Sequence, residues 1–450
     1  MKELTARNSI VSFSNHNDKK RSVLVMKNYL ALVLSMTVIA SPAFASRARL
    51  EALGEGKNGS YYIQDCRNMF LNPSEIVKCK KKMFLELGDE TAGGNTTGTD
   101  KAITNDRGQG GFTNTFGDFT YGVYMNNDSD KSLQGTATAN ALNAAIGGSG
   151  TGFLAVQNQL EFFFAGEGAM NWGISIFHAG NENKGTYGAV PTGGADKTAY
   201  LWGARLGVNS GNFAVFTSLG LAEKMVADNA TATLSSENMK GKFSADVAAT
   251  YNMDQMTAFA KFSTWGFDLN TNVLGTSQAT LSNSNTLIGL GAGWKHEMTK
   301  STTMFTRVEA DQMSGSTTVP TTIDATQNLA LSAGYKVVNI PLVLGAEAQA
   351  LSWLTVRGSV AGSLWGSAQA GQSRTSLGGT TTVGAGFGMT FGDFQIDGLM
   401  QANATGHNPA NGAVSGANGN VAGFGTGPQA NSNWGLGNNM MSRIAMTYNF

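Results

Sequence analysis

The end of the chain alternates regularly between apolar and polar side chains. Phe450, Tyr448, Met446 and Ile444 are apolar, and the residues between them are small, polar or charged. Successive side chains of a β-strand point to opposite faces, so one face of this segment suits hydrocarbon and the other suits water. A chain that ends in such a strand needs a fold that gives one face an apolar environment and the other an aqueous one.

Composition and repeated alternation extend this requirement to the rest of the chain. Charged residues make up 14% of the sequence, well below the roughly 25% of soluble proteins. After residue 45, no segment approaches the ~18 continuous apolar residues of a membrane-spanning helix. Segments that alternate with a period of two instead predict an all-β protein, a transmembrane antiparallel β-barrel of about 16 strands, within a range of about 14 to 18.

The connections between these strands are expected to be of two kinds, short periplasmic turns and long extracellular loops. Residues 329–350 fit either one strand or two, and a single strand requires a bulge at Pro341, which has no backbone donor. Tight turns are predicted near residues 117–118, 166–167, 210–211, 253–254, 298–300, 352–353 and 392–393, and long polar loops over residues 89–107, 127–152, 180–197, 223–240, 266–284, 312–325, 367–378 and 402–437.

Residues 26–45 predict a secretory signal peptide. They hold a basic residue, a short apolar core and the small-x-small motif Ala43-Phe44-Ala45, so cleavage is expected after Ala45. A membrane-anchor helix is the alternative, although the apolar core is shorter than the ~20 residues that a spanning helix needs. Residues 1–25 are either an over-extended start, with Met26 as the true initiator, or a long basic n-region.

The next segment, residues 46–80, is expected to be a periplasmic leader that precedes a barrel over residues 81–450. Asn72 and the proline after it predict the cap of one short helix. Cys66 and Cys79, the two cysteines of the chain, both lie in this leader. In an oxidising periplasm they are expected to close a disulfide, and two unrelated reduced thiols are the alternative.

Charged residues of the strands fall opposite the apolar set, which predicts a polar lumen. A charge on the lipid-facing side near mid-membrane costs roughly 2–4 kcal/mol, so this separation supports the assignment of faces. Lys261 joins the lumen face only if Phe259 also points inward. The pore-lining candidates are Glu161, Arg205, Asp246, Lys295, Arg307, Glu309, Glu347, Arg357, Asp397 and Arg443.

A barrel of this width is too wide for its own side chains to fill, so the lumen is expected to be a water-filled channel. The alternative is a barrel plugged by its loops or by the leader. The layout is similar to that of general porins, in which the third long loop folds inward, and this likeness makes Glu182, Lys184, Tyr187 and Asp196 constriction candidates. Because the inward positive and negative charges nearly balance, weak ion selectivity is expected.

Other local patterns offer little support for chemistry or for a bound cofactor. Residues 289–295 are glycine-rich but lack the ending of a phosphate loop and lie within an alternating strand. Residues 126–130 carry oxygen ligands without the closing glutamate of a calcium loop, which favours a solvated loop. A formal net charge of 0 argues against nucleic-acid binding. We therefore expect no cofactor, no metal and no nucleic-acid partner.

Two segments and the C-terminal strand resemble known outer-membrane proteins. Tyr448 and the terminal Phe450 resemble the insertion signal that the barrel-assembly machinery reads. Residues 46–54 and 61–73, together with residues 350–359, resemble porin-like outer-membrane β-barrel proteins of predatory deltaproteobacteria. This resemblance implies a bacterial outer-membrane location among outer-membrane lipids, and passive passage of small solutes and ions. Porins of this size are commonly trimers, so a homotrimer is one expectation.

Three functional hypotheses follow from the sequence. The first is a non-enzymatic porin that lets small hydrophilic solutes and ions diffuse through a polar lumen. The second is a structural or surface-interaction barrel whose pore is closed. The third is an outer-membrane hydrolase that uses His178 or His296, although neither has an evident partner and no nucleophile motif is present.

Overall fold

The chain folds into one antiparallel β-sheet that closes on itself around an N-terminal segment. The computed structural model describes residues 46–88, 108–127, 153–154, 156, 158–183, 196–228, 237–273, 277–318, 334–371, 373–376, 381–404 and 443–450. The predicted signal peptide and the residues before it lie outside the described residues. Among the described residues, no helix is long and apolar enough to cross a membrane.

Strands account for most of the described chain. They are β1 (Lys82–Gly88), β2 (Gln109–Phe116), β3 (Phe119–Met125), β4 (Leu160–Gly166), β5 (Asn171–Asn183), β6 (Asp196–Ser210), β7 (Phe213–Asp228), β8 (Glu237–Gly241), β9 (Ser244–Met253), β10 (Met256–Val273), β11 (Ser277–Thr299), β12 (Thr302–Thr318), β13 (Tyr335–Leu351), β14 (Leu354–Ala370), β15 (Ser373–Ser376), β16 (Thr381–Phe391), β17 (Phe394–Ala404) and β18 (Arg443–Asn449).

Pairing between the first and last strands closes the sheet into a barrel. β1 pairs with β2 on one side and with β18 on the other. Each strand runs antiparallel to the strands with which it pairs. The short strands β8 and β9 both pair with β7 and β10, and β15 and β16 both pair with β14, so each couple occupies one position in the wall. The barrel therefore has 16 positions, which confirms the predicted fold class.

The strand that contains Pro341 is continuous. β13 runs through this residue, and its register with β14 shifts between Ile340 and Pro341. A proline has no N–H to donate to the ladder, so the local irregularity lets the strand continue without that hydrogen bond. Of the two alternatives left by the sequence, the structure selects one strand with a bulge.

The predicted tight turns are confirmed, but several predicted loops are partly strand. β10 ends at Val273 and β11 begins at Ser277, so most of residues 266–284 belongs to a paired hairpin. The 23 residues of β11 extend to ~78 Å at ~3.4 Å per residue, far more than a ~30 Å hydrocarbon core requires. Beyond the membrane the outer face of a hairpin meets water instead of lipid, so an apolar residue at every second position is no longer required there.

Large apolar side chains cover the outer face, as the alternation predicted. In β1, Met83, Leu85 and Leu87 are about half exposed, whereas Phe84 and Glu86 between them are buried. The predicted lipid-facing residues that are exposed include Phe119, Met125, Phe162, Phe164, Trp172, Ile176, Trp202, Leu206, Val208, Phe213, Val215, Ile288, Leu290, Trp294, Val356 and Val360. Such a surface is stable only against hydrocarbon, so this is the face of a transmembrane barrel.

The N-terminal segment consists of one short α-helix and two 3-10 helices. Helix α1 spans Arg47–Ala52, and the 3-10 helices η1 and η2 span Cys66–Phe70 and Pro73–Lys78. The predicted cap at Asn72 is present, because its side chain accepts a hydrogen bond from the Ser74 backbone. Most of this segment is buried although it belongs to no sheet, and its burial comes from the inner face of the barrel.

Candidate functional site

Residues 46–79, which we call the plug, lie inside the barrel. Their side chains contact inward-facing residues of strands all round the wall: Glu86 of β1, Tyr124 of β3, Asn209 of β6, Phe216 of β7, Phe259 of β10, Arg307 of β12, Glu347 of β13, Asp397 of β17 and Arg443 of β18. A single short segment reaches so many strands of a closed sheet only from the enclosed side. The segment expected as a periplasmic leader therefore packs within the lumen, as in the alternative of a barrel plugged by its leader.

The plug occupies the half of the barrel near the short turns. Phe216 and Phe259, which stack on Tyr61 with ring centroids 6.0 and 4.7 Å away, come shortly after the turns that open β7 and β10. Glu347 and Asp397 lie at similar positions relative to their own turns. Because Phe259 points inward, Lys261 does too, and its ammonium lies 2.5 Å from Glu309.

Glycines of the wall make room for the plug backbone. A Cβ atom at Gly173 would lie 2.4 Å from the carbonyl carbon of Pro73, and one at Gly293 would lie 2.2 Å from the Tyr62 ring. Contacts this short do not occur between real atoms, so a larger residue at either position would push the plug away. In the sequence Gly293 is only one glycine of the stretch 289–295, whereas in the structure it lies directly against the plug.

Buried ion pairs join α1 of the plug to one side of the wall. The Arg49 guanidinium lies 2.9 Å from Asp65 of the plug and 3.0 Å from Glu347 of β13. Glu347 also pairs with Arg357 at 2.6 Å, and Arg357 pairs with Asp397 at 2.6 Å. The chain of charges ends where Ser46 donates a hydrogen bond to Asp397. Arg49, Arg357 and Asp397 are all buried, so these pairs are shielded from water.

Other ion pairs hold the plug to the strands where the barrel closes. Arg67 lies 3.4 Å from Glu86 of β1 and donates hydrogen bonds to Tyr124 and Asn127. In a second pair the wall supplies the positive charge, because Arg443 of β18 lies 3.3 Å from Glu51 of the plug. The plug and the wall therefore each supply both signs of charge.

A third group of charges lies on β10 and β12. Arg307 of β12 lies 3.2 Å from Glu55 of the plug and 3.2 Å from Glu309 of its own strand. Glu55 also accepts a hydrogen bond from the Tyr62 hydroxyl. Charges at three separate parts of the wall are thus neutralised by partners on the plug, which a buried charge requires.

Burial shifts the titration of the plug carboxyls. It raises the pKa of Asp65 to about 6, against the opposing effect of Arg49. Burial also raises the pKa of Glu55, again opposed by a neighbouring guanidinium, that of Arg307. Burial alone would lower the pKa of Arg49, but Glu347 and Asp65 outweigh it and raise that pKa. The plug therefore presents charged guanidiniums together with carboxyls that are costly to ionise.

A disulfide closes the part of the plug that contains both 3-10 helices. Cys66 and Cys79 are joined with an S–S distance of 2.04 Å. The sulfurs pack among Met69, Phe70 and Ile76 and among inward-facing residues of the wall. A covalent loop here limits the freedom of the plug when it is not docked, which favours the compact form.

The other half of the lumen, towards the long connections, is lined on one side by apolar residues. Phe177, Leu201 and Leu269 of the wall pack together there with Phe153 and with further inward residues, namely Val156, Ala179, Ala199, Met225, Ala227, Met239, Phe267 and Leu281. Phe153 and Val156 belong to the connection between β3 and β4. The described residues of that connection therefore pack against the inner wall.

The boundary between these two halves contains the buried pair of Arg205 and Glu161. Arg205 is ion-paired with Glu161, and its guanidinium lies over the Phe177 ring at 4.4 Å from the centroid. Ser175 donates a hydrogen bond of 2.6 Å to the same glutamate. These contacts link the polar inner wall to the apolar cluster on its long-connection side.

A cavity lies between the plug and the wall. Its volume is about 280 Å³, and it is lined by plug residues together with β5, β6, β7 and β9 near their short turns: Ser60, Tyr61, Gln64, Asn68, Leu71, Asn72, Glu75, Lys78, Gly168, Ala169, Asn171, Asn209, Gly211, Phe213, Ala214, Phe216, Thr250 and Asn252. The Lys78 side chain is 44% exposed, so the cavity borders solvent at this end of the barrel.

The structure brings most pore-lining candidates onto the inner face, but around a plug. Arg307, Glu347, Asp397 and Arg443 contact plug residues, and Arg357 contacts two of their carboxylates. Glu161, Arg205 and Glu309 are buried in ion pairs. Asp246 shares the inward parity of Ala248 and Thr250, and Lys295 lies at the exposed rim beside Glu297. The expected water-filled lumen is therefore corrected at the level of the plug.

The two constriction candidates that the structure describes lie in strands and not in an inward loop. Glu182 belongs to β5 and Asp196 to β6, because the hairpin continues into the region predicted as the third loop. Lys184 and Tyr187 lie outside the described residues. The described connection that packs inward is the one before β4, whose Phe153 and Val156 carry no charge to signal a constriction.

The remaining candidates lie on the outer face. Tyr448 and Phe450 are 42% and 53% exposed, and their role in insertion stays a prediction. His178 stacks on Trp202 with ring centroids 4.2 Å apart, and its Nδ1 atom lies 3.1 Å from the Leu201 carbonyl oxygen. His296 is exposed. These contacts give the hydrolase hypothesis no support.

Sequence reasoning missed the plug residues as functional residues. Arg47, Arg49, Glu55, Asp65 and Arg67 were assigned only to a leader. Their signal is a concentration of charge and two cysteines in a segment that precedes a barrel of low charge. A soluble leader and a lumen plug share that signal, so alternation and spacing alone do not separate them.

Comparisons with known proteins find similar solved structures but no family. No family model matches the chain. No curated protein matches it either. Among solved structures it is similar to a Pseudomonas aeruginosa FadL homologue at TM-score 0.42 and 10% identity, covering 90% of this chain and 98% of that one.

Two further solved structures are similar at the same low level. They are the CymD monoaromatic hydrocarbon channel, at TM-score 0.35 and 10% identity over 91% of this chain and 98% of that one, and a porin, at TM-score 0.31 and 12% identity over 82% and 99%. At these scores the likenesses identify neither a family nor a function.

Proposed function

We propose that this protein is a bacterial outer-membrane channel for small hydrophilic solutes and ions, closed at rest by its own N-terminal plug. The observation that carries the proposal is the set of plug contacts with strands all round a 16-position wall. A barrel of this width encloses more space than its side chains fill, so a passage exists wherever the plug does not lie. The polar inner wall of that passage suits hydrated solutes.

Charge supports a plug that is held but releasable. The pairs of Arg49 with Glu347, Arg67 with Glu86, and Arg443 with Glu51 are all between plug and wall. Buried ion pairs contribute little net stability compared with apolar packing, but breaking one partner costs several kcal/mol, about 3–5. The plug also packs apolar residues against the wall, with Ile76 in one cluster with Phe84 and Leu50 in another with Phe305, so the ion pairs fix its position and apolar packing adds to its stability.

A planar-bilayer recording tests this proposal. Wild-type protein is expected to give small or infrequent conductance steps, and the double variant Arg49→Met with Arg67→Met is expected to give large steady steps. Protease cleavage within the plug first establishes that the variant plug is released. Large steps from the wild type would show that the plug does not close the lumen.

The second candidate is a structural barrel that never conducts. One observation favours it: apolar residues such as Phe177, Leu201 and Leu269 fill part of the lumen on the long-loop side, against Phe153 of a connection. A wall that is apolar inside excludes ions even without the plug. Silence of the double variant in the bilayer, after proof that its plug is released, selects this second function.

A further inference from the structure

The cavity beside the plug is lined by a row of polar residues across neighbouring strands. Asn171 of β5 is directly opposite Asn209 of β6, Asn209 is opposite Ala214 of β7, and Ala214 is opposite Thr250 of β9. All four side chains point inward, since they share the parity of the wall residues that touch the plug. Asn252, two residues further along β9, extends the row towards the short turn.

Several of these groups have hydrogen-bonding capacity to spare. Among the described residues, the side chains of Asn171 and Thr250 have no hydrogen-bond partner. Asn252 accepts a 2.7 Å hydrogen bond from Thr257 through Oδ1, and its Nδ2 group has no acceptor in that same part of the chain. An amide offers two donors and an acceptor, and a hydroxyl offers both functions. The row is thus a mixed set of donors and acceptors.

The cavity carries no net charge. Glu75 and Lys78 are the charged residues among its described lining, and they pair with each other at 2.7 Å. Glu75 also accepts a 2.5 Å hydrogen bond from Asn209, and Lys78 donates a 3.2 Å hydrogen bond to Gln64. An anion would need unpaired arginines or lysines, and a cation would need an unpaired carboxylate. The lining therefore suits a neutral ligand.

Two aromatic rings form part of the cavity lining. Tyr61 of the plug and Phe216 of the wall both line it, and Tyr61 is held by stacking on Phe259. Rings of this kind present a flat apolar face next to the row of amides. A volume of about 280 Å³ lies just below the roughly 300–1,000 Å³ of sites for drug-sized ligands, so it suits one small molecule.

We propose that this cavity binds one neutral polyhydroxylated solute of monosaccharide size. Such a solute presents hydroxyl groups that both donate and accept, as the amide row requires, and a C–H face that packs on an aromatic ring. The inference rests on the proposed function, because it names the solute class that would enter beside the plug from the short-turn end. A solute that binds in this cavity would occupy it saturably, unlike a solute that only diffuses through the lumen.

Equilibrium binding to the detergent-solubilised full-length mature protein tests the inference. D-glucose is the neutral probe, gluconate the anionic probe and glucosamine the cationic probe, each titrated by calorimetry or by saturation-transfer NMR. Saturable binding of glucose is expected, with gluconate and glucosamine binding at least several-fold more weakly. Asn171→Leu and Asn252→Leu are each expected to weaken glucose binding by about tenfold, the value of one lost hydrogen-bonding group.

A matched control separates loss of the site from loss of the fold. Gln349→Leu changes an exposed amide at the short-turn end of β13, across the barrel from the cavity, and is expected to bind glucose as the wild type does. Each variant is also checked for protease resistance of the plug. A folded, plugged variant that retains full glucose binding would overturn the inference, as would equal binding of all three probes or none.

The outcome is independent of the conductance test. Saturable glucose binding by a protein that never conducts would support the proposed solute site and contradict the proposed channel. Conductance after plug release without any saturable glucose binding would support the proposed channel and contradict the proposed solute site.

Discussion

At the scale of single residues, Arg49 connects the plug directly to the wall. It pairs with Asp65 and with Glu347, and it is buried. The alternation of the strands correctly placed Glu347 and Arg357 on the inner face. It gave no information on the contact of Glu347 with the plug, because Arg49 lies 298 residues away in sequence.

Replacement of Arg49 should release the plug. Arg49→Met removes the guanidinium that pairs with Asp65 and one of the two that pair with Glu347, and the expected loss of docking free energy is about 3–5 kcal/mol. Limited proteolysis of the plug in detergent-solubilised protein measures the released fraction. Lys80→Met is the control, since Lys80 forms an exposed pair with Glu167 and such pairs contribute about 0–1 kcal/mol. Equal sensitivity of the two variants would contradict the role assigned to Arg49.

Asp65 should make plug docking depend on pH in the acidic range. Burial raises its pKa to about 6 from 3.8, so the docked plug binds this proton more tightly than the released plug does. Docking is therefore favoured most below about pH 4, and that contribution is lost as the pH rises through about 6. Hydrogen exchange of the plug amides, corrected for intrinsic rates, should report this loss between pH 4 and 6.

Asp65→Asn provides the comparison for that titration. The amide does not titrate, so the slope between pH 4 and 6 should flatten, whatever the variant does to the absolute stability. An unchanged slope would assign the pH dependence to another group, for example to Glu55, whose pKa burial also raises.

At the scale of elements, the strands were the most predictable part and the plug the least. Period-two alternation located the tight turns and placed Phe259 and Lys261 on one face. It predicted loops where polar hairpins continue beyond the membrane, as β10 and β11 do. The short helices η1 and η2 carry ordinary cap signals, and nothing in those signals distinguishes a helix in solution from one packed inside a barrel.

A glycine of the wall tests the docking of the plug without removing any charge. Gly173→Val suits a β-strand, but its side chain would occupy the place of the Pro73 carbonyl group. We expect a folded barrel with a protease-sensitive plug. Gly358→Val is the matched control on the outer face, where a Cβ atom meets its nearest neighbour at an ordinary 3.6 Å.

Heat-modifiable migration on gels checks that both glycine variants form barrels. A folded Gly173→Val barrel whose plug resists protease as well as that of the Gly358→Val control does would mean that the plug does not press against β5 at this point.

At the scale of the whole molecule, the sequence predicted the closed barrel but left the content of its lumen open between water and a plug. The strand count and the separation of faces follow from local alternation and turn chemistry. Occupation of the lumen depends on contacts between the first part of the chain and strands spread over the remainder. The low charge of the barrel and the concentrated charge of residues 46–79 are the only compositional sign of that arrangement.

Cross-linking in intact outer membranes tests the central claim most directly. Asn72 of the plug donates a 2.7 Å hydrogen bond to Asn209 on the inner face of β6. Val208, which precedes Asn209 in the same strand, points outward. The pair Asn72→Cys with Asn209→Cys should form a disulfide readily, and the pair Asn72→Cys with Val208→Cys should not. Equal cross-linking of both pairs, or of neither, would contradict a barrel closed by its own N-terminal segment.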